Sequence, residues 1–235
     1  MDLLSYSPPP ISESITIYAH QVRVPVDTSD RSDNAAKLFK VIRRMYDTSG
    51  RDGTFHDFTR IVLAVLNRHF DGDGPYMEAI KGLPRKALDI ACEGWAILVN
   101  HFWIEGCFYD ILGDVYMQVR SDWAGKSMGQ YFTPWHVCVM MANQALDADE
   151  QRLLEGPEVG VHDPACGSGA MLLAFKAAVC DRFGTDDPRR YLRHVRLYGQ
   201  DIDQVCVEMA RIQTMMSDER FMTNFMLAGP REVHS

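Results

Sequence analysis

The residues with the most chemistry to offer lie between Val159 and Asp203. An apolar run, Val159-Gly160-Val161-His162, leads into Asp163-Pro164-Ala165-Cys166-Gly167-Ser168-Gly169, and a helical run from Ala170 to Val179 follows. The pattern predicts a strand, a tight turn and a helix. Gly167 and Gly169 give the turn access to positive φ and keep a Cβ out of the way of a ligand. The helix start behind them offers unpaired amides and partial positive charge to an acceptor such as a carboxylate. A second strand is expected at Val195-Arg196-Leu197-Tyr198-Gly199-Gln200, ending in Asp201-Ile202-Asp203. An acidic residue at the tip of the strand after a Gly-rich βα unit is where nucleotide folds hold ribose hydroxyls. Taken alone, the two glycines also fit a turn that binds nothing.

Upstream, Gly129-Gln130-Tyr131-Phe132-Thr133-Pro134 precedes a helical run from Trp135 to about Ala145. Pro134 suits the first helical position and Thr133 its N-cap, so the Thr133 hydroxyl and the neighbouring amides would face whatever sits at that helix start. In this order the three blocks resemble the adenine-N6 DNA methyltransferases, and among them the modification subunits of type I restriction systems. The resemblance covers roughly Asp110 to Met216. It implies S-adenosylmethionine (SAM) as the cofactor, with Asp163, Ala165, Gly167 and Gly169 as the cradle for its methionine portion. By the same resemblance Asp201 holds the ribose hydroxyls, while Gln130, Phe132 and Thr133 close the cleft. Asp203 is a weaker candidate that also suits a cap for the following helix. Methyl transfer from such a donor needs positioning and exclusion of water more than acid–base groups.

The family also uses an Asn/Asp-Pro-Pro-aromatic block to hold the target adenine, which must leave the duplex stack. No such block occurs: Asp73-Gly74-Pro75-Tyr76 lacks the second proline, and Ser7-Pro8-Pro9-Pro10 lacks the polar acceptor and the ring. Only 34 residues follow Asp201, about one further βα unit at roughly 30 residues each. The expectation is a truncated sheet that ends near its third strand, with no catalytic residue to assign on the base side. Its unpaired edge and uncovered face would invite the N-terminal helices or a second protein chain. Two functions fit. One is a SAM-binding member of the family that needs a partner chain, a complementing half or a specificity subunit, for methyl transfer. The other is a catalytically silent interaction or anti-restriction protein that mimics a modification subunit.

These blocks sit in a chain of 235 residues with 46% hydrophobic and 24% charged residues, ordinary for a globular protein. The formal charge of −8 argues against unaided tight DNA binding, so DNA is expected only through a complex. No apolar run approaches the roughly 18 residues that span a bilayer, and the Pro-rich start does not read as a signal peptide. The six cysteines form no Cys-x-x-Cys pair, and the histidines form no metal-ligand spacing, so no metal is expected. Buried thiols in a reducing cytoplasm are the expectation.

Three segments are expected. Residues 1–33 read as a tail or arm, in which Ile15 to Val24 fits a short strand or a segment docking on a partner equally well. Residues 34–120 form an α-helical domain, with helices from Asn34 to Gly50, from about Phe55 to His69 and from about Leu83 to Asn100. Asp71-Gly72-Asp73-Gly74-Pro75 reads as a solvated turn lacking the ligands of a calcium loop. Residues 121–235 form a partial Rossmann-like methyltransferase domain. Asp147 to Gly156 is expected as a polar connection, the run after Asp203 as a helix, and Phe221 to Leu227 as a third strand.

Overall fold

The computed structural model describes residues 31–123, 131–155, 158–183, 192, 194–217 and 224–227. The expected N-terminal arm, most of the loop before Phe132, and Gln130 lie outside the described residues. Helices come first: α1 (Arg31–Ser49), α2 (Thr54–Asp71), the short α3 (Gly74–Ala79) and α4 (Arg85–Val99). Leu38, Ile42 and Met45 recur at helical spacing on α1 and are fully buried, as are Phe58 and Ile61 on α2. α1 stops where Gly50, at φ 62°, donates its amide to the Tyr46 carbonyl at 2.7 Å. Gly94 sets how closely α4 packs, because a Cβ there would stand 2.6 Å from the Phe58 ring. α4 runs into a π-helical turn at Asn100–Ile104, and α5 (Ile111–Trp123) follows.

α6 (Trp135–Glu155) is longer than the sequence suggests, since the expected connection after Asp147 continues as helix. Its acidic stretch contains no glycine or proline before Gly156-Pro157, and Leu146 and Leu153, two turns apart, are both buried. The polar residues between them therefore ride on a helix anchored by its apolar face.

β1 (Val159–Asp163), α7 (Ala170–Phe183), β2 (Val195–Asp201), α8 (Gln204–Ser217) and β3 (Asn224–Leu227) complete the order. The three strands form one parallel sheet in the order β1-β2-β3, with Val159 opposite Val195 and Asp201 opposite Leu227. Parallel pairing requires a crossover between strands, which α7 and α8 supply. The expected α/β class with a helical N-terminal portion is present.

One apolar cluster gathers the side chains of α1, α2, α4 and α5 and takes in Cys206, Met209, Ile212 and Met216 of α8. A second lies between α6, α7 and the sheet and includes Leu146, Phe175, Val195 and Leu197. Because β2 alternates, Val195 and Leu197 are buried while Tyr198 is not, and Gly160 and His162 are exposed on β1. One face of the sheet thus remains open at these positions. Among the described residues, no helix is long and apolar enough to cross a membrane.

Candidate functional site

The Gly-rich turn between β1 and α7 stands at the same end of the sheet as the tip of β2. Gly167 has φ 51° and Gly169 φ 91°, in the left-handed region that only glycine enters without strain. The Cys166 amide donates to the Gln200 carbonyl at 2.9 Å, and the Gly167 amide donates to Asp201 Oδ2 at 2.9 Å. Asp201 Oδ1 accepts from the Asp203 amide at 2.9 Å. The buried carboxylate thus holds the turn to the strand tip, and each oxygen keeps acceptor capacity for a further donor. Asp163 turns one oxygen onto the Ala165 amide at 3.1 Å, with Ala165 itself exposed.

The two glycines have different reasons for being glycine. A Cβ on Gly167 would lie 3.1 Å from the ring of Phe132, and one on Gly169 would lie 3.1 Å from Cα and Cβ of Ala210 on α8. Gly169 therefore serves the packing of the turn on α8, a correction to the reading that both glycines leave room for a ligand. Ser168 is also more than a spacer. It is 1% exposed, and its hydroxyl donates to Asp110 Oδ2 at 2.5 Å.

Asp110 was legible only as the start of a family-like segment. It caps α5 by accepting the Gly113 amide at 2.9 Å, and it also accepts Gln213 Nε2 at 2.7 Å. Gln213, fully buried on α8, donates to the Ser168 carbonyl at 2.8 Å and accepts the Leu112 amide at 3.0 Å. This network ties α5, the Gly-rich turn and α8 together, and every polar partner in it is satisfied. Burial pushes the Asp110 carboxyl above the usual carboxylate range, against the three hydrogen bonds that favour its charge. Gly113 is required there, since a Cβ would stand 2.6 Å from Ser168 Oγ and overlap the Asp110 carboxylate. A lone glycine within a helical pattern was the sequence signal available.

Phe132 links the turn to the helical layer. Its ring stacks on Tyr116 at 5.9 Å and 19°, and Tyr116 in turn donates to Asp203 Oδ2 at 3.1 Å. Burial first, then the Asp203 charge, pushes the Tyr116 phenol up to about 12, so it stays a donor. Thr133 is exposed, and the first carbonyl of α6 to accept a helical bond is that of Pro134, from the Cys138 amide at 3.1 Å. The helix accordingly starts one residue later than a Thr133 cap implies.

Beside these residues is a cleft of about 130 Å³ lined by Tyr109, Asp110, Asp114, Phe132, Thr133 and Trp135, among others. The structure thus brings Phe132 and Thr133 together on this cleft and Asp163, Ala165, Gly167 and Asp201 together at the strand tips. Phe132 touches both groups. Gln130 lies outside the described residues. Burial, then the Asp163 charge among others, pushes the Cys166 thiol up to about 12, which makes it an inert neighbour. Among the described residues, no group of three or more His, Cys, Asp or Glu side chains is placed to hold a metal.

Residues 108–224 match the model of a family described as N-6 DNA methylase. The chain is 29% identical over 110 residues to a type I restriction enzyme methylase subunit of Methanocaldococcus jannaschii, across 46% of this chain and 16% of that one. It is 32% identical over 98 residues to a type II restriction enzyme and methyltransferase of Heyndrickxia coagulans, across 41% and 14%. The matched segment is thus a small part of either relative's length. Among solved structures, a putative class I S-adenosylmethionine-dependent methyltransferase from Listeria monocytogenes gives a TM-score of 0.49 at 13% identity, covering 84% of this chain and 56% of that one. A type I restriction-modification methyltransferase subunit from Streptococcus thermophilus gives 0.38 at 18% identity, covering 84% and 41%.

Proposed function

Through residues 108–224 the chain belongs to the N-6 DNA methylase family, and from that premise we propose that it binds SAM for adenine-N6 methylation of DNA. The observation that carries the reading is the joint placement of a positive-φ Gly-rich turn and a buried Asp201 at one end of a parallel sheet. Asp201, with spare acceptor capacity on both oxygens, suits the vicinal hydroxyls of a ribose. Thr133 and the opening amides of α6 suit the cofactor's carboxylate. Phe132, between Tyr116 and Gly167, shields the site from water. When bound, the cofactor supplies an already activated methyl group, so the chain's own work is orientation and exclusion of water.

None of the 235 residues spells the Asn/Asp-Pro-Pro-aromatic block that would hold the adenine. In this reading that block is supplied by residues outside these 235, whether of the same polypeptide or of a partner in a restriction-modification complex. The net charge of −8 fits contact with DNA through such a complex. Cytoplasm is the proposed setting, where the six free thiols stay reduced.

The test is titration calorimetry of the chain with S-adenosylhomocysteine, the demethylated product. Saturable binding is expected. Absence of heat from a chain that circular dichroism shows to be folded would end the reading. A radiolabelled methyl-transfer assay on duplex DNA is expected to give no transfer by these residues alone and transfer once the base-binding segment is added.

A further inference from the structure

The cleft beside Phe132 carries an acid, Asp114, that the cofactor motifs do not account for. The start of α6 enters its lining through Trp135, whose amide precedes the first i→i−4 bond of the helix. The same cleft is lined by Asp110 and Asp114, one turn apart at the start of α5, and among the described residues by no Lys, Arg or His. Neither carboxylate forms an ion pair among the described residues. Asp110 is consumed by its three donors, as described above. Asp114 is half-buried and accepts the Tyr109 hydroxyl on Oδ2, while Oδ1 accepts from no donor among the described residues.

Burial, opposed by the Tyr109 bond and reinforced by the Asp110 charge, raises the Asp114 carboxyl above its usual range. A carboxylate desolvated in this way, with no counter-ion among the described residues, gains from a cation placed beside it. The rings of Tyr109, Tyr131, Phe132 and Trp135 also line it, and aromatic faces favour cations too. A cleft with a helix-opening amide for an anion, and a carboxylate and aromatic rings for a cation, fits a zwitterion. Asp163, the acid that the Gly-rich motif would offer instead, is bonded to the Ala165 amide and lies outside this lining.

Resting on the cofactor reading above, we infer that Asp114, held by Tyr109, receives the α-ammonium group of the cofactor's amino-acid end. The carboxylate of the same end then lies at the start of α6, and Phe132 separates the amino-acid end from the ribose at Asp201.

The experiment compares two ligands by calorimetry on the full chain. S-adenosylhomocysteine carries the amino-acid end, and 5′-methylthioadenosine carries the nucleoside without it. Asp114→Asn keeps the shape and the bond from Tyr109 but removes the charge. It is expected to weaken S-adenosylhomocysteine by about 10- to 100-fold, the loss of one charge-assisted hydrogen bond, and to leave methylthioadenosine unchanged. Asp114→Glu, which restores the charge, is expected to recover part of the affinity. Equal affinity of wild type and Asp114→Asn for S-adenosylhomocysteine overturns the inference and leaves the cofactor reading standing. Equal losses for both ligands, or no recovery with Glu, overturn it as well. A folded wild type that binds neither ligand removes the cofactor reading and this inference together.

Discussion

The tip of the sheet and the start of α5 both present acids to the candidate site, and they use them differently. At the tip, Asp201 is bonded to two backbone amides, so the residue that suits ribose also builds the turn. At α5 the work is divided between neighbours. Asp110 is structural and fully engaged, whereas Asp114 keeps one oxygen open. Substitution at the tip should therefore disturb stability and binding together, while the two can be separated at α5.

The largest expected effect tests the structural side. Gly169→Val forces a β-branched residue to φ 91° with its Cβ 3.1 Å from Ala210. Strain and overpacking together should cost about 2–5 kcal/mol in urea unfolding. A loss of less than about 1 kcal/mol would mean the turn is not packed on α8 as described. Gly167→Ala, facing the Phe132 ring, should cost less, because a side chain yields more readily than a helix backbone.

Next comes Asp110→Ala, which leaves Ser168, Gln213 and the Gly113 amide without their shared acceptor. Buried unpaired donors of this kind should cost about 3 kcal/mol in all. Ser168→Ala removes one of these bonds and should cost roughly 1 kcal/mol, so Ser168 is a measurable position and not a silent control.

Asp201→Asn sharpens the contrast with Asp114→Asn. An amide at 201 must turn its NH₂ toward one of the two backbone donors, and a loss of roughly 1–3 kcal/mol is expected. Asp114→Asn should leave the thermal midpoint unchanged. If both variants unfold alike, the division between a structural acid and a binding acid fails.

The smallest effect is a pH dependence between the helical layer and α8. Thr59 donates to buried Glu208 at 2.8 Å, and His56 Nε2 lies 3.3 Å from the same carboxylate. The bond to Glu208 raises the His56 pKa above its ordinary 6.5, so its contribution is complete below that value and lost as pH rises through the raised pKa. Burial acts to raise the Glu208 pKa, but the bonds from His56, Gln204 and Thr59 outweigh it and hold the pKa below 4.5. That contribution is present above 4.5 and lost as pH falls. Stability assigned to this pair should be greatest between about pH 4.5 and 6.5, and His56→Ala should flatten it. An unchanged pH profile in that variant would show that the pair does not couple the layers.

The strand–turn–helix–strand order from Val159 to Asp201 was legible because glycine spacing and the acid at a strand tip are local signals. The division of labour between Gly167 and Gly169 was not, since it depends on Phe132 and Ala210, which the turn meets only in three dimensions. Asp110 finds Ser168 58 residues away and Gln213 103 residues away, which no local pattern encodes. The length of α6 was missed for another reason. Its second half is polar in composition, and two buried leucines a heptad apart anchor it weakly as a pattern.

If one cofactor spans both regions, its nucleoside lies at the sheet tip and its amino-acid end at α5. A crystal structure of the chain with S-adenosylhomocysteine tests this most directly. Ribose hydroxyls are expected within hydrogen-bond distance of Asp201 and the ligand's ammonium against Asp114, with Phe132 between them. A ligand bound away from the Gly-rich turn, or one whose amino-acid end leaves the Tyr109–Asp114 cleft empty, would contradict it.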